Sequence, residues 1–466
     1  MKTFSKETYI ERRNQLKLKV GSGVLLFLGN EESSVNFKDN WYPFRQDSTF
    51  LYFFGLDMPG LAAVIDIDRN VEIIFGDNLT VEETIWQGSH PPISDLATDV
   101  GVGITQSRSE IDGYLASVGG QQVHFLPPYR PENSQKLAGW FHKSNPEIQS
   151  LVSVEFIKAV VSLRSIKSEE EISELNKAVN ISVQMHKKLM KEAKPGMKEY
   201  ELLGLVTGEA LSLGGNVSFP PIITIDGQIL HNHTYSNTLE KGKMLLGDFG
   251  AESAMHYAGD ITRTSPVDSR FSESQREIYQ IVLTAYQTAV AALQPGIKFK
   301  DVHLLACRKL AEGLKELGLM KGNLDKAVNQ GAHALFFQCG LGHMMGLDVH
   351  DMEDLGEEYV GYTDDLKKST QFGLKSLRLG KELEKGFVIT IEPGIYFIPK
   401  LIDLWQAENL HSDYINYEKL ALYRDFGGIR VEDAYLITET GSMLLGKSLE
   451  IEIIEVERVR EGIASL

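Results

Sequence analysis

Cysteine is almost absent from this chain: its 466 residues include two, Cys307 and Cys339. Neither sits in a Cys-x-x-Cys pair, so a disulfide framework, a thiolate zinc module and a dithiol redox centre are all excluded, and a reducing compartment is expected. Long hydrophobic runs are lacking too. Val24 to Leu28 falls far short of the roughly 20 residues a membrane span needs, and the opening MKTFSKETYIERRNQLKLKV has no apolar h-region. A cytoplasmic protein is the expectation. Positive charge is scarce: 47 Lys plus Arg stand against 64 Asp plus Glu, a net −17. Phosphate backbones and anionic lipid would repel such a chain, which argues against nucleic-acid and membrane partners. The sequence also has no GxSxG and no HExxH, so a serine hydrolase and a mononuclear zincin have no support. GSMLLGKS (Gly441 to Ser448) fits the phosphate-loop formula, but its interior is apolar and the following SLEIEIIEV reads as a strand where that motif requires a helix.

What is present is ordinary globular composition, 42% hydrophobic and 24% charged, in a length that favours two or three domains. The first 160 residues alternate short apolar runs (Val24 to Leu28, Phe50 to Gly55, Leu61 to Ile67, Val71 to Phe75) with polar turns, as a mixed α/β domain does. From about 161 the texture changes. Ser168 and Glu171 form a capping box, Ile172, Leu175, Val179 and Val183 recur at helical spacing, and Pro195-Gly196 stops the helix. Ser272 with Gln275, an apolar face through Ile278, Ile281, Val282 and Ala285, and Pro295-Gly296 repeat the plan. A second helix follows each stop. The pattern reads either as an internal duplication or as two unrelated helix pairs that share a common terminator.

Within this second region, MLLGDFGAESAMHYAGDITRT reads as a hairpin carrying Asp248 and Asp260. A turn centred on Ala254 would set them directly opposite, where like charges repel unless a cation lies between them. FVITIEPGIYF ends an apolar run on Glu392. GIRVEDAYLIT holds Arg430 and Glu432 two apart, and the glycine-rich GLGHMMGLDVHD carries His343 and His350. Taken singly, each is a turn residue, a solvated edge charge or a satisfied polar group. Taken together, Asp248, Asp260, Glu392 and Glu432 contribute four negative charges that two divalent cations cancel, with His343 as a neutral fifth ligand. This hard, oxygen-rich set suits manganese, with cobalt, iron or zinc as substitutes. Metals about 3.5–4 Å apart can share a water, lower its pKa and steady a developing oxyanion.

These residues resemble the proline-specific metallopeptidases of the pita-bread fold, the family of aminopeptidase P and prolidase. YAGDITRTSPVDSRFSESQREIY, GLGHMMGLDVHD, VITIEPGIY and GIRVEDAYLITETG carry the resemblance, and YPFRQDSTFLYFFGL (Tyr42 to Leu56) is similar to the hallmark of the family's N-terminal domain. The resemblance implies an α+β protein: a mixed α/β domain over 1–160, then a duplicated ααβ pita-bread catalytic domain over 161–466. It makes Asp248 a ligand of one Mn2+, Asp260 and Glu432 bridging ligands, and His343 and Glu392 ligands of the second Mn2+. Glu392 is also the implied proton shuttle. His231 matches the first substrate histidine, and His350 the second, which steadies the scissile carbonyl. Arg430 matches the arginine of the network beside Glu432.

The implied substrate is a peptide or dipeptide with proline second, cut through a metal-bridging hydroxide. Its Xaa-Pro bond is a tertiary amide with no N–H to grip. GLKSLR (Lys375, Ser376, Arg378) and the insert Pro399 to Gly428 resemble prolidase, and that resemblance implies a dipeptidase in which Arg378 would hold the free carboxylate, a bidentate task that suits a guanidinium. YAGDITRT is closer to aminopeptidase P. A pita-bread binding module without catalysis and a metal-free creatinase-like amidine hydrolase are disfavoured, because all five ligand positions are filled. The resemblance also implies a homodimer or tetramer, in which Trp86 would overhang a neighbour's site; a plain core or surface tryptophan is the other reading.

Overall fold

The computed structural model describes residues 3–462. It divides into two compact units, Met1–Arg164 with Glu353–Tyr359, and Ser165–Met352 with Val360–Leu466. Three of the four apolar runs of the first unit become strands: β1 (Val24–Leu28), β2 (Ala62–Asp66) and β3 (Val71–Phe75) form an antiparallel meander. β4 (Ile104–Gln106) and β5 (Val123–His124) join its two edges in parallel, giving the order β4-β3-β2-β1-β5. Alternate residues Val24, Leu26, Val64, Ile73 and Phe75 face one core with Leu137 and Ile148, as the two-residue period of a strand dictates. The fourth run is helical, Ser48–Phe54. Asp47 caps it by accepting the Phe50 N–H at 2.8 Å, and all seven of its residues are buried. Trp86 is not in a core. It lies on the short helix Val81–Gln87 with Val81 and Ile85, and it is 81% exposed.

In the second unit the helix Glu169–Glu192 opens on the reciprocal bonds of Ser168 and Glu171, and Glu273–Ala291 opens on those of Ser272 and Gln275. Each packs on the helix that follows it, Glu199–Ser212 and Phe299–Glu316. The two Pro-Gly stops behave identically. Gly196 and Gly296 turn at φ +93° and +84°, and their N–H groups donate to the carbonyls of Leu239 and Leu383, both at 2.8 Å. Two residues on, Lys198 pairs with Thr238 and Lys298 with Glu382. Unrelated helix pairs would not share this hydrogen-bond pattern; the domain is a duplicated pita-bread fold.

Its strands continue the count: β6 (Asn216–Val217), β7 (Ile222–Thr224), β8 (Met244–Phe249), β9 (Ala251–Glu252), β10 (Ile261–Pro266), β11 (Val388–Ile391), β12 (Gly394–Tyr396), β13 (Gly428–Arg430), β14 (Asp433–Ile437) and β15 (Ser442–Leu444). The first half holds the sheet β10-β8-β7, the second β11-β14-β15, and β6-β9 and β12-β13 are small pairs. A bridge between Thr262 and Glu432 joins the halves, with the Glu432 N–H donating to the Thr262 carbonyl at 3.0 Å. Beside β11 runs the segment 341–345: Thr390 N–H reaches the His343 carbonyl at 3.0 Å, and Glu392 N–H the Leu341 carbonyl at 2.8 Å. Gly342 makes that approach feasible, since a Cβ there would lie 1.9 Å from the Thr390 carbonyl oxygen.

SLEIEIIEV is not the expected strand. After an irregular stretch it enters the helix Ile453–Arg460, opened by Glu452 and Glu455, because Val456 and Val459 are its buried apolar positions and their spacing of three is helical. The glycine formula before it is no phosphate loop either, for Ser442–Leu444 is strand β15.

The approach at Gly342 generates a prediction. Gly342→Ala should lower stability by on the order of 2–3 kcal/mol and impair activity, whereas Gly204→Ala, in a helix with nothing within 4 Å of the new methyl, should be neutral or slightly stabilising. Equal melting temperatures for the two variants would contradict this reading.

Candidate metal centre

Asp248 leaves β8 and Asp260 immediately precedes β10, but they are not directly opposite. The register pairs Asp248 with Thr262. The turn centres on Met255, one residue later than expected: Ser253 N–H bonds the Tyr257 carbonyl and Gly259 N–H the Ala251 carbonyl. A shift of two positions preserves the alternation of faces, so both aspartates still point the same way. The crossing is tight, since a Cβ on Gly250 would lie 1.8 Å from the Gly259 carbonyl oxygen. In the second half, Glu392 follows β11 and Glu432 sits between β13 and β14.

These elements bring Asp248, Asp260, His343, Glu392 and Glu432 to one place. His343 Nε2 lies 3.5 Å from Asp260 and 3.7 Å from Glu392. Donor atoms of Asp260, His343 and Glu432 all fall within 4.8 Å of one another. His343 Nδ1 is 3.0 Å from the Met344 carbonyl, which sets the ring so that Nε2 faces the carboxylates. Arg430 donates to Asp248 through Nη2, to the Tyr396 hydroxyl through Nη1 at 2.8 Å, and to Thr262 Oγ1 through Nε at 3.1 Å. The Thr262 hydroxyl donates in turn to Glu432 Oε2 at 2.6 Å. Thr262 and Tyr396 escaped the sequence reading. Thr262 could have been found, as it lies two residues beyond Asp260 on the same face; Tyr396 follows a bend at Pro393 and carried no signal.

His350 stands edge-on to His343, ring centroids 4.2 Å apart. His231 is exposed on the loop after β7, where the charges of Asp248, Arg430 and Arg378 act on it. Its pKa is lowered, foremost by loss of solvation. Arg378 is half-buried, on backbone held by the Tyr362 hydroxyl, which bonds the Leu377 carbonyl at 2.7 Å, and by Gly361 packed against the Arg378 carbonyl.

The electrostatics call for cations. Burial, then the neighbouring carboxylates, raise Asp260 and lift Glu432 well above the carboxylate range. Burial raises Glu392 to about 7, with Asp260 and Asp248 adding to it and His343 and Arg430 opposing. Burial alone would lower His343, but its contact with Asp260 and the charges of Glu392 and Asp260 outweigh it, so the ring shifts upward. The cluster collects protons because water cannot screen it. Among the described residues, two buried oxygens have no hydrogen-bond partner, Asp260 Oδ1 and Glu432 Oε1. Unpaired buried carboxylate oxygens beside an imidazole, with no thiolate among them, suit hard or borderline divalent cations.

A pH dependence follows. With Glu392 near 7 in the folded chain against an ordinary 4.5, chelator-treated protein binds more protons folded than unfolded between those values. That contribution to stability, on the order of 3 kcal/mol, is complete below about pH 4.5 and lost as pH rises through about 7. The gap in melting temperature between metal-loaded and chelated protein should therefore widen from pH 5 to about 7.5. A gap independent of pH would refute the assignment.

Comparison with known proteins agrees with this architecture. Residues 173–439 match the model of metallopeptidase family M24, and residues 9–125 that of the aminopeptidase P N-terminal domain. The chain is 32% identical over 446 residues to a human protein named Xaa-Pro dipeptidase, covering 93% of this chain and 87% of that one. It is 32% identical to a probable Xaa-Pro aminopeptidase of Sordaria macrospora, covering 91% and 89%. Zinc-substituted Escherichia coli aminopeptidase P in complex with product superposes with a TM-score of 0.81 at 28% identity, over the full length of both chains. With a match across more than half its length and relatives aligned nearly end to end, the chain belongs to metallopeptidase family M24, in the branch of prolidase and aminopeptidase P.

Proposed function

We propose that the protein is a dinuclear, manganese-dependent Xaa-Pro dipeptidase of the cytoplasm. The observation that carries this reading is the convergence of Asp248, Asp260, His343, Glu392 and Glu432, with Asp260 Oδ1 and Glu432 Oε1 buried and unpaired. Those five side chains would hold two divalent cations, which would supply Lewis acidity and lower the pKa of a water.

The chain's own residues do the rest. Glu392, the least buried of the four carboxylates, is the residue to accept a proton and return it to the leaving proline nitrogen. His350 donates to the scissile carbonyl oxygen, a role its edge-on contact with His343 supports, and His231 lines the substrate. Arg430 and Thr262 act as positioning residues: one guanidinium and one hydroxyl link Asp248 to Glu432, so ligands from the two halves move together. Arg378 supports the dipeptide preference. A half-buried guanidinium that acts on His231 is suited to a free carboxylate one residue beyond the cut, and such a cap closes the site to longer peptides.

The second reading, Xaa-Pro aminopeptidase, draws on YAGDITRT and on the name of the Sordaria relative. A homo-oligomer, dimer or tetramer, accompanies either reading. Val81, Ile85 and Trp86 offer it an exposed apolar strip.

Substrate length separates the two activities. Gly-Pro should be cleaved much faster than Arg-Pro-Pro, and equal or reversed rates would discard the dipeptidase in favour of the aminopeptidase. Arg378→Ala should weaken dipeptide binding at least 10-fold, by loss of a charge-assisted contact worth about 1.5–3 kcal/mol, and relax the length selection. Protein purified in manganese-containing buffer should hold two equivalents of manganese; no bound divalent metal at all would sink the hydrolase reading.

A further inference from the structure

A second cluster of metal-binding side chains lies apart from the five-residue centre. His303 and Cys307 are one turn apart on one face of the helix Phe299–Glu316, and His333 lies in the turn Ala332–Leu335 that packs on that helix. One donor atom from each lies within 4.8 Å of the others, and all three side chains are buried. Cys307 Sγ is 3.4 Å from His303 Nε2.

Nothing else satisfies these rings. Among the described residues, His303 Nδ1 and both ring nitrogens of His333 are buried with no hydrogen-bond partner; the Val328 carbonyl lies near His333 without reaching bonding geometry. Interiors rarely leave three nitrogens in that condition. Burial holds both imidazoles neutral, pushed down to about 3 for His303 and about 4 for His333, so each keeps a lone pair at any physiological pH. Burial, and then Cys339, push the Cys307 thiol well up, so without a metal it keeps its proton.

Softness and charge identify the guest. A thiolate with two imidazoles selects zinc or monovalent copper over manganese or magnesium. The cluster contains no carboxylate. A divalent ion on one thiolate would leave a net positive charge in a dry interior, whereas a monovalent ion leaves none. We propose that His303, Cys307 and His333 form a second metal site, one that takes Cu+ in three-coordinate ligation by two imidazole nitrogens and one thiolate sulfur. On binding, the Cys307 S–H bond breaks and an S–Cu bond forms. One proton leaves to solvent, and no electron is transferred, because the metal enters as Cu+.

The test uses full-length, manganese-loaded protein titrated anaerobically with Cu+ against bicinchoninate. The wild type should retain one equivalent, release one proton per copper, and show a sulfur neighbour at about 2.3 Å by X-ray absorption, a thiolate distance typical of a d10 ion. Cys307→Ser and His333→Gln should each weaken copper retention at least 10-fold while leaving manganese content and peptidase rate unchanged; Cys339→Ser should retain copper like the wild type. Copper held no better by the wild type than by Cys307→Ser, or held with only nitrogen and oxygen neighbours, overturns the site. Uptake of one extra Zn2+ on sulfur with no Cu+ overturns the monovalent assignment. The absorption spectrum of the wild type decides the matter even if a variant does not fold.

Discussion

Mutual repulsion among four carboxylates gathered in one place, three of them buried, is the constraint on which the second domain is organised. Asp248, Asp260, Glu392 and Glu432 are brought together from the two halves of a duplicated fold, the first two and Glu432 buried and Glu392 partly so, where water screens them little. Each would be tolerable alone in a turn or at a sheet edge; assembled, they require positive charge to remain ionised. Arg430 provides part of it at Asp248. The two buried oxygens without partners mark where the remainder is needed. In the metal-free chain burial first, and then Asp260 and Asp248, raise the proton affinity of Glu392 as well, so the same crowding that threatens the fold makes protons compete with cations for the site.

Behind the carboxylates lies a second buried network that holds the seam. Arg263, on β10, donates to the carbonyls of Thr262 and Glu432 and to the Asp433 carboxylate; Asp433 also accepts from the Tyr286 hydroxyl. Arg263 sits one residue beyond Thr262, and Asp433 one beyond Glu432, so strand alternation sends this layer to the opposite face from the site. One face of the seam gathers negative charge and the other neutralises it. That arrangement explains how a strand junction can be wholly buried and still carry so many ionised groups.

Much of this was legible in the sequence, and the places where reading failed share a cause. The two capping boxes, the two Pro-Gly stops and the five converging residues are local or motif-borne signals, and Ser168, Ser272, Gly196 and Gly296 behave as their chemistry dictates. The register of Asp248 was not legible. It depends on where the chain turns within Glu252–Tyr257, and a turn displaced by one residue moves the partner by two. Ser448–Val456 misled because the alternation of Leu449, Glu450, Ile451 and Glu452 imitates a strand until Val456 and Val459 commit to a helix against the domain. Tyr396 and the trio of His303, Cys307 and His333 are products of tertiary folding alone, since no spacing in the chain connects a helix face with a turn reached only after an intervening helix.

The bridge between Thr262 and Glu432 has a mechanical consequence as well. It joins residues 170 positions apart, and the cations of the neighbouring centre would be gripped from both sides of the same seam. A bound pair of ions therefore resembles a reversible rivet. By analogy with a covalent link closing a loop of a hundred residues or more, such a tie restrains the open chain by on the order of 4–5 kcal/mol. Chelation on this view does more than disarm the enzyme. It would release the seam first, so amide exchange should quicken along β10 and β14 well before it does in the outer helices, and metal supply would set the lifetime of the folded chain as much as its turnover.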